Sequence, residues 1–361
     1  MSTPGAESAG VGPDPVITRI RILIEAGRHD EARVKLESAL ATDPGDGGLW
    51  CLYALCLCRL DRHVDALKAA GRAAALEPEE EWPHRLASIA LCSLRDYPRA
   101  AEAARVAVRL EPGLWQTHAQ LALALHEIKN VDAMDEAWQA ASHAVSLAPD
   151  EAETHFVMGV VAQERGAAQA AEAAYRRVLA LDPAHAAAMN NLGLLQLKRG
   201  RLHEAAEGFT SSLRNDPNLG VARANVDAVG WRLMTIGYYI AFGGFWVLRF
   251  LVAADAPYDY VLRAGMGVVL LGVWITVGLR MLGRLPGPAR SYLARLPRRS
   301  VGFGVMAGGV TLCVLGSLFA AFAPGSVCVI GLLAAGVGIF VSFVTSWVVT
   351  VRNWRSRNRS R

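Results

Sequence analysis

Three residues of types that commonly bind metal ions recur at one fixed spacing. They are Cys58, Cys92 and His126, each 34 positions after the one before. Thiolate and imidazole groups are the usual ligands of zinc, with ligand atoms about 2.0–2.3 Å from the ion. A spacing this long places the three residues on three separate helices, and packed helices lie about 8–10 Å apart. The side chains would straddle an ion rather than enclose it, so we predict no metal site and no cofactor.

Three histidines form a second set that could do chemistry. His84, His118 and His155 recur with nearly the same spacing, and we interpret them as packing residues rather than catalysts. The sequence contains no P-loop, no G-x-S-x-G and no H-E-x-x-H pattern. Residues 231–361 contain no His and no Glu, and their only acidic residues are Asp255 and Asp259. This shortage of carboxylates argues against a membrane enzyme, and we predict that the chain is not an enzyme.

The residues above lie on short helices in a repeating unit. One proline and one alanine recur in register, with a spacing of 34 or 37 positions: Pro44, Pro78, Pro112, Pro149, Pro183 and Pro217, with Ala32, Ala66, Ala100, Ala137, Ala171 and Ala205. Each unit predicts two amphipathic helices, each too small to bury its apolar face alone. A period near 34 is typical of a helical solenoid, in which each unit buries its face on the next. Three extra residues near Asn130–Asp135 are predicted to lengthen one inter-helix turn.

The repeating unit resembles the tetratricopeptide repeat (TPR) family over residues of about 13–219. The family pattern is W-x2-L-G-x2-Y, then A-x3-F, then P. The second and sixth units show it in part: Trp50-x2-Tyr53-Ala54-x2-Leu57, Ala66-x3-Ala70 and Pro78, and Met189-x2-Leu192-Gly193-x2-Gln196, Ala205-x3-Phe209 and Pro217. The resemblance implies an α-solenoid of about six repeats over residues 15–219, whose first helices line a concave peptide-binding groove.

The groove positions implied by the resemblance are mostly apolar. Members that bind C-terminal carboxylates use Lys, Asn and Arg in the groove, and here only Arg85 and Asn190 remain. We therefore expect an apolar helix or extended segment as the partner, anchored on the ninth position of each unit. The alternative is that this row is interior packing. The candidate groove residues are Cys51, Leu55, Arg85, Ile89, Leu123, His126, Phe156, Val160, Asn190 and Leu194.

The last third of the chain differs sharply in composition. Residues 231–361 contain 14 Arg, no Lys and two Asp, whereas residues 1–230 carry a net charge of −8. The acidic first part argues against nucleic acid as a partner. Four apolar segments, about 232–253, 261–282, 301–323 and 327–351, each reach the length of roughly 20 residues that crosses a bilayer. The fold class is therefore predicted as all-α, with a TPR solenoid followed by a four-helix transmembrane domain.

The loop charges predict how these segments are oriented. Arginines concentrate in the 284–300 connection and in the 352–361 tail, while the short loops 254–260 and 324–326 carry no basic residue. Basic loops stay in the cytoplasm, so both termini and the repeats are predicted to face the cytoplasm of a bacterial cell. Residues 1–14 are expected to be a disordered leader, and 220–230 a capping or linker helix.

Three arginines, Arg249, Arg263 and Arg280, lie within or at the edges of the first two apolar segments. A charge inside the bilayer can mark an ion path or a lipid headgroup site. The alternative is that each side chain extends towards the nearer membrane surface.

Taken together, these features favour a membrane-anchored scaffold that binds a protein or peptide partner and contacts membrane lipid. One alternative is a regulatory subunit of a transporter or channel, and a second is a membrane enzyme of the cell envelope. The oligomeric state and the partner's identity do not follow from the sequence.

Overall fold

The computed structural model describes residues 15–253, 259–283 and 285–359. The predicted leader, most of the 254–260 loop and the last two residues of the tail lie outside these ranges. Within them the chain is helical, with 17 α-helices, one short 3-10 turn and no β-strand. The chain divides into two compact units, one ending at Pro183 and one beginning at Ala184.

The first unit consists of five helix pairs. Their bounds are α1 Pro15–Glu25 and α2 His29–Thr42, α3 Gly47–Arg59 and α4 His63–Leu76, α5 Glu81–Ser93 and α6 Tyr97–Leu110, α7 Trp115–His126 and α8 Val131–Leu147, and α9 Ala152–Glu164 and α10 Ala168–Leu181. Both helices of a pair pack on each other and on the next pair, as the period of 34 predicts.

The alanine that recurs once per unit lies at the closest approach of the two helices. Ala32, Ala66, Ala100, Ala137, Ala171 and Ala205 are all completely buried. In two of the repeats, the facing helix also carries a glycine at this crossing. A methyl group built on Gly159 would lie 2.5 Å from the Tyr175 ring, and one on Gly193 would lie 2.9 Å from the Phe209 ring. A small residue on one helix is therefore matched to an aromatic ring on the other.

The insertion near Asn130–Asp135, predicted to lengthen an inter-helix turn, lies mainly in a helix: the turn between α7 and α8 has four residues, where the turn inside each other pair has three. The three extra residues extend α8, which has 17 residues where the second helix of other pairs has 14. The cause is a cap at Asn130, whose side-chain Oδ1 accepts a hydrogen bond from the backbone N–H of Ala133 at 2.7 Å. The helix therefore starts at Val131, and the extra residues become helical.

The second unit begins with one more helix pair, α11 Ala186–Lys198 and α12 Leu202–Asn215. Helix α13, Gly220–Ala253, then runs for 34 residues without interruption. The predicted linker helix and the first apolar segment are thus a single helix. Three further long or apolar helices follow: α14 Asp259–Gly283, α16 Val301–Phe322 and α17 Cys328–Arg359, with a 3-10 turn at Gly325–Val327.

A helix that the sequence analysis assigned to a loop lies between α14 and α16. Helix α15, Gly287–Arg299, packs on both α12 and α13. Ala289 of α15 is completely buried in a cluster with Phe209 of α12 and Val226 of α13. Pro288 stands at the start of α15, where a proline costs no backbone hydrogen bond.

Glycines allow the backbones of α16 and α17 to pack closely against each other. Gly309 and Gly316 of α16 face Gly338 and Gly331 of α17, and a methyl group on Gly316 would lie 2.7 Å from the Gly331 carbonyl oxygen. Backbones that approach this closely tolerate only small residues. The partners are spaced seven residues apart along each helix.

Candidate functional site

The ninth position of the first helix carries an apolar side chain at intermediate exposure in four pairs of the first unit. Leu55, Ile89, Leu123 and Val160 occupy this row on α3, α5, α7 and α9. Leu55 and Ile89 pack against one buried cluster of the repeats, and Leu123 packs against the next. Each side chain is thus partly inserted into the core and partly open. Leu194 of α11, at the same position of the sixth repeat, is also half-buried.

Two candidate groove residues are closed off from solvent. Cys51 is 1% exposed and Asn190 is 5% exposed. Asn190 accepts a hydrogen bond at its Oδ1 from Nδ2 of Asn225, 2.8 Å away on α13. The fifth position of these units therefore serves internal packing. Arg85 and Phe156, at the same position of other units, remain half-buried.

Arg85 is already neutralised by a carboxylate of its own helix. Its Nε lies 2.9 Å from Oε2 of Glu81 and its Nη2 lies 3.0 Å from Oε1, a two-bond pair. Glu81 is itself buried. A partner carboxylate would have to replace Glu81, whose desolvated charge would then be unpaired. This arrangement favours an apolar ligand over a C-terminal carboxylate.

The cysteines of this surface are neutral thiols. Burial raises the pKa of Cys58 and of Cys92 to about 11. Burial also raises the pKa of Cys51 to about 12, with the negative charges of Glu77, Glu81 and Glu80 adding to the effect. A thiol protonated at pH 7 is a weak nucleophile and a weak metal ligand.

The row of Cys58, Cys92 and His126 does not form one site. Nδ1 of His126 lies 2.7 Å from the carbonyl oxygen of Leu123 in its own helix. Cys92 accepts a hydrogen bond from Nε2 of Gln120, with the nitrogen 3.7 Å from Sγ. Among the residues described, no group of three or more His, Cys, Asp or Glu side chains could hold a metal ion.

Two of the three histidines that replace the family's tryptophan, His118 and His155, make the same contact as the tryptophan. Nε1 of Trp50 donates to the carbonyl oxygen of Pro44 at 2.9 Å. Nε2 of His118 lies 2.8 Å from the carbonyl oxygen of Pro112, also six positions earlier. His155 repeats this contact with Pro149 at 2.8 Å. These two histidines join their repeats to the turn before them, a role that the packing interpretation only half anticipated.

Arg223 extends this series into α13. Its Nη2 donates to the carbonyl oxygen of Pro217, six positions earlier, at 3.1 Å. The N-terminal third of α13 therefore has the phase of the first helix of a seventh repeat. The second helix of each full unit has an alanine, an apolar residue four positions on and a third residue seven positions on, as in Ala205, Phe209 and Ser212.

Helix α15 has the same spacing. Ala289, Leu293 and Leu296 take the three positions, and Ala289 and Leu296 are buried. A methyl group on Gly230 of α13 would lie 2.8 Å from Leu293, so the helices touch there. Helix α15 thus fills the place of the missing second helix, although the rest of α13 and all of α14 come between the two in sequence.

Four helices of the second unit are long and apolar enough to cross a membrane. Judged by length and composition, the candidate spans are Gly220–Val252, Tyr260–Arg280, Val301–Phe322 and Cys328–Val348. These spans indicate membrane association, and they match the four predicted segments to within a few residues except at the start of the first.

One of the three arginines in the spans has a structural role. Arg263 of α14 is 3% exposed, and its Nη1 donates to the carbonyl oxygen of Ala320 at 3.4 Å. That carbonyl belongs to the last turn of α16, where such groups have no partner within the helix. Arg249 is exposed, and its guanidinium lies 5.9 Å from the centre of the Trp246 ring. Arg280 is exposed near the end of α14.

Comparison with known proteins identifies the repeats. Two family models, both described as tetratricopeptide repeat, match residues 23–89 and 156–219. The apolar helices lie outside both matches. No curated protein matches the chain.

Several solved structures resemble the fold, two of them described as TPR proteins. The Cut9–Hcn1 hetero-tetramer of APC/C superposes with a TM-score of 0.52 at 19% identity, covering 59% of this chain and 42% of that chain. A thermophilic TPR protein of Thermus thermophilus gives 0.48 at 21% identity, with 51% and 98% covered. YrrB, described as a TPR protein with an unusual peptide-binding site, gives 0.37 at 19% identity, with 52% and 96% covered. The two family matches show that the chain carries TPR repeats, and TPR proteins are generally protein-interaction scaffolds without catalysis.

Proposed function

We propose that this TPR chain is a membrane-anchored scaffold that binds a protein or peptide partner at the cytoplasmic face of a bacterial membrane. The observation that carries the proposal is the row of half-buried apolar side chains at the ninth position of the first helices. An amphipathic helix or an extended segment can bury such a row against its own apolar residues. The four apolar helices would hold the repeats at the membrane.

The electrostatics of the surface support an apolar partner. Arg85 is paired with Glu81, and the thiols of Cys58 and Cys92 are neutral. Specificity would then come from shape and from the spacing of apolar anchors. Eight of the ten candidate residues are at least partly exposed, whereas Cys51 and Asn190 would support the surface from beneath.

The partner surface is tested by crosslinking and affinity capture from membranes. The variant Leu123→Glu with Val160→Glu should lose the specific partners of the wild-type chain, because it puts two charges into the apolar row. The matched control is Val34→Glu with Val64→Glu, the same change at exposed positions on the second helices α2 and α4. Partners that the first variant captures as well as the wild-type chain does would overturn the proposal, as would an equal loss of partners in the control.

Folding of the groove variant has to be checked, since Leu123 also packs against the core. Circular dichroism and thermal unfolding serve for this. The milder variant Leu123→Ala with Val160→Ala removes contact area without adding charge. It should weaken capture of the same partners, and undiminished capture would count against the groove.

The membrane orientation is tested separately. Ser326 is exposed in the turn between α16 and α17. In Ser326→Cys, a membrane-impermeant maleimide should label intact cells, whereas the wild-type chain should stay unlabelled. Labelling that requires permeabilised cells would reverse the proposed topology.

A further inference from the structure

The position of α15 is fixed by very short connections. Three residues, 284–286, separate it from the end of α14, and Ser300 alone separates it from the start of α16. A chain of three residues spans at most about 11 Å. The last turn of α15 also touches the first turn of α16, because a methyl group on Gly304 would lie 2.9 Å from the carbonyl oxygen of Pro297. If α14 and α16 cross the bilayer, α15 must lie at its surface.

Helix α15 has one face packed and one face open. Ala289 and Leu296 are buried, and the Tyr292 hydroxyl donates to Oδ1 of Asp227 on α13 at 3.0 Å. The opposite face is exposed and carries Ser291, Ala294, Arg295 and Arg298. The open face therefore presents two arginines one helical turn apart.

The four arginines of α15 fall into two classes. Arg290 donates to the carbonyl oxygens of Leu285 and of Gly283, the last residue of α14, at 2.8 and 3.2 Å. The Arg299 guanidinium lies 5.6 Å from the centre of the Tyr292 ring. Neither Arg295 nor Arg298 makes a hydrogen bond or an ion pair with any residue that the structure describes.

The charge on the open face is not balanced within the helix. Helix α15 contains no Asp and no Glu. Like charges three positions apart on a helix repel each other. An anion bound between the two guanidinium groups would remove this repulsion, and arginine matches phosphate with two parallel hydrogen bonds.

We propose that Arg295 and Arg298 bind the phosphate groups of anionic phospholipids at the membrane surface. The proposal rests on the proposed function in one respect, since it needs α14 and α16 to lie in the bilayer. It assigns α15 two roles on opposite faces, completing the seventh repeat and contacting lipid. The last repeat would then be held against the membrane surface itself.

The proposal is tested by native mass spectrometry of the full-length chain in detergent, titrated with phosphatidylglycerol or with phosphatidylcholine. The variant Arg295→Gln with Arg298→Gln should lower the affinity for phosphatidylglycerol roughly fivefold for each arginine, because a basic residue near an anionic surface contributes about that factor. Binding of phosphatidylcholine should not change. The matched control is Arg72→Gln with Arg109→Gln, exposed arginines on α4 and α6.

Two outcomes would overturn the proposal: equal phosphatidylglycerol affinity in the variant and the wild type, or the same loss in the control. Loss of both lipids together would point to a disturbed fold, and Arg295→Lys with Arg298→Lys then decides. This variant keeps the charge but not the paired hydrogen bonds of arginine, so it should recover part of the phosphatidylglycerol preference, and a failure to recover any counts against the proposal.

Alkaline extraction of membranes distinguishes this proposal from the proposed function. A chain that leaves the membrane fraction would overturn both. A chain that stays there, with lipid preference unaffected by the variant, would overturn only the role of α15.

Discussion

The hydroxyl of Tyr292 donates a hydrogen bond to Oδ1 of Asp227 at 3.0 Å, although the two residues lie 65 positions apart. The bond joins α15 to the N-terminal third of α13. The segment between them includes the apolar part of α13 and all of α14. The seventh repeat is therefore assembled from two pieces of chain that only the folding of the second unit brings together.

This bond predicts a measurable coupling. Tyr292→Phe should lower the free energy of unfolding by about 1–3 kcal/mol, since it leaves a half-buried carboxylate without its donor. Asp227→Asn should cost less when combined with Tyr292→Phe than when made alone. Thermal unfolding of the four proteins of the double-mutant cycle in detergent gives the coupling. Strictly additive effects would mean that the bond does not contribute, and Tyr239→Phe, at an exposed tyrosine, is the control.

The buried alanines predict sensitivity to added volume. Ala66→Phe or Ala171→Phe should cost about 1–3 kcal/mol or more, because both side chains are completely enclosed. Ala75→Phe and Ala180→Phe are the matched controls, at exposed positions of the same two helices. They should unfold within about 0.5 kcal/mol of the wild type. Equal effects at buried and exposed positions would refute the assigned repeat register.

The inter-helix turns predict a stabilising change. Gly27, Gly166 and Gly200 have a positive φ, and the equivalent residue in three other units is Asp61, Arg95 or Lys129, with φ near 60°. A non-glycine residue in this left-handed region costs roughly 1–2 kcal/mol. Lys129→Gly should therefore raise the unfolding temperature, while Gly166→Ala should lower it. If both changes shift the temperature in the same direction, the turn conformation is not the cause.

His118 predicts a pH dependence. Burial is the main cause that lowers its pKa, and the charge of His143 lowers it further, against the opposing carbonyl of Pro112. In the unfolded chain a histidine titrates near 6.5. At pH values between the lowered pKa of His118 in the folded chain and its value in the unfolded chain, the unfolded chain binds more protons than the folded chain. The free energy of unfolding should therefore fall as the pH decreases through this range.

The variant His118→Trp tests this origin. Tryptophan can keep the N–H donor to Pro112, as Trp50 does with Pro44, but it does not titrate. Its unfolding temperature should match that of the wild type at pH 8 and fall less towards pH 5.5. An identical pH slope in both proteins would assign the effect to other groups.

The repeats could be predicted from the sequence because their signal is local and periodic. Each alanine expected at a helix crossing is completely buried. The prediction succeeds because the two helices of a repeat cross so closely that only a small side chain fits between them. The four apolar segments could be predicted for a similar reason, since length and hydropathy decide whether a helix can span a bilayer.

Helix α15 was missed because its local composition is that of a loop. It contains prolines at 288 and 297 and four arginines. Two signals could have found it: Arg223 lies six positions after Pro217, and Ala289, Leu293 and Leu296 repeat the spacing of a second helix. They are hard to see because the two helices of this repeat are far apart in sequence.

The candidate groove was only partly accessible to sequence reasoning. Position within the unit identifies which residues lie on the first helices. It does not show that Glu81 neutralises Arg85, or that Asn225 covers Asn190. Both depend on side-chain contacts that vary from one unit to the next while the backbone pattern stays the same.

Helix α13 has a mechanical consequence. Its 34 residues form a rod about 51 Å long. Arg223 fastens one end to the sixth repeat, and Leu293 and Leu296 of α15 press on Gly230 a third of the way along. Because this helix is continuous, a force that a bound partner applied to the sixth repeat would be transmitted directly to the apolar C-terminal part of the same helix.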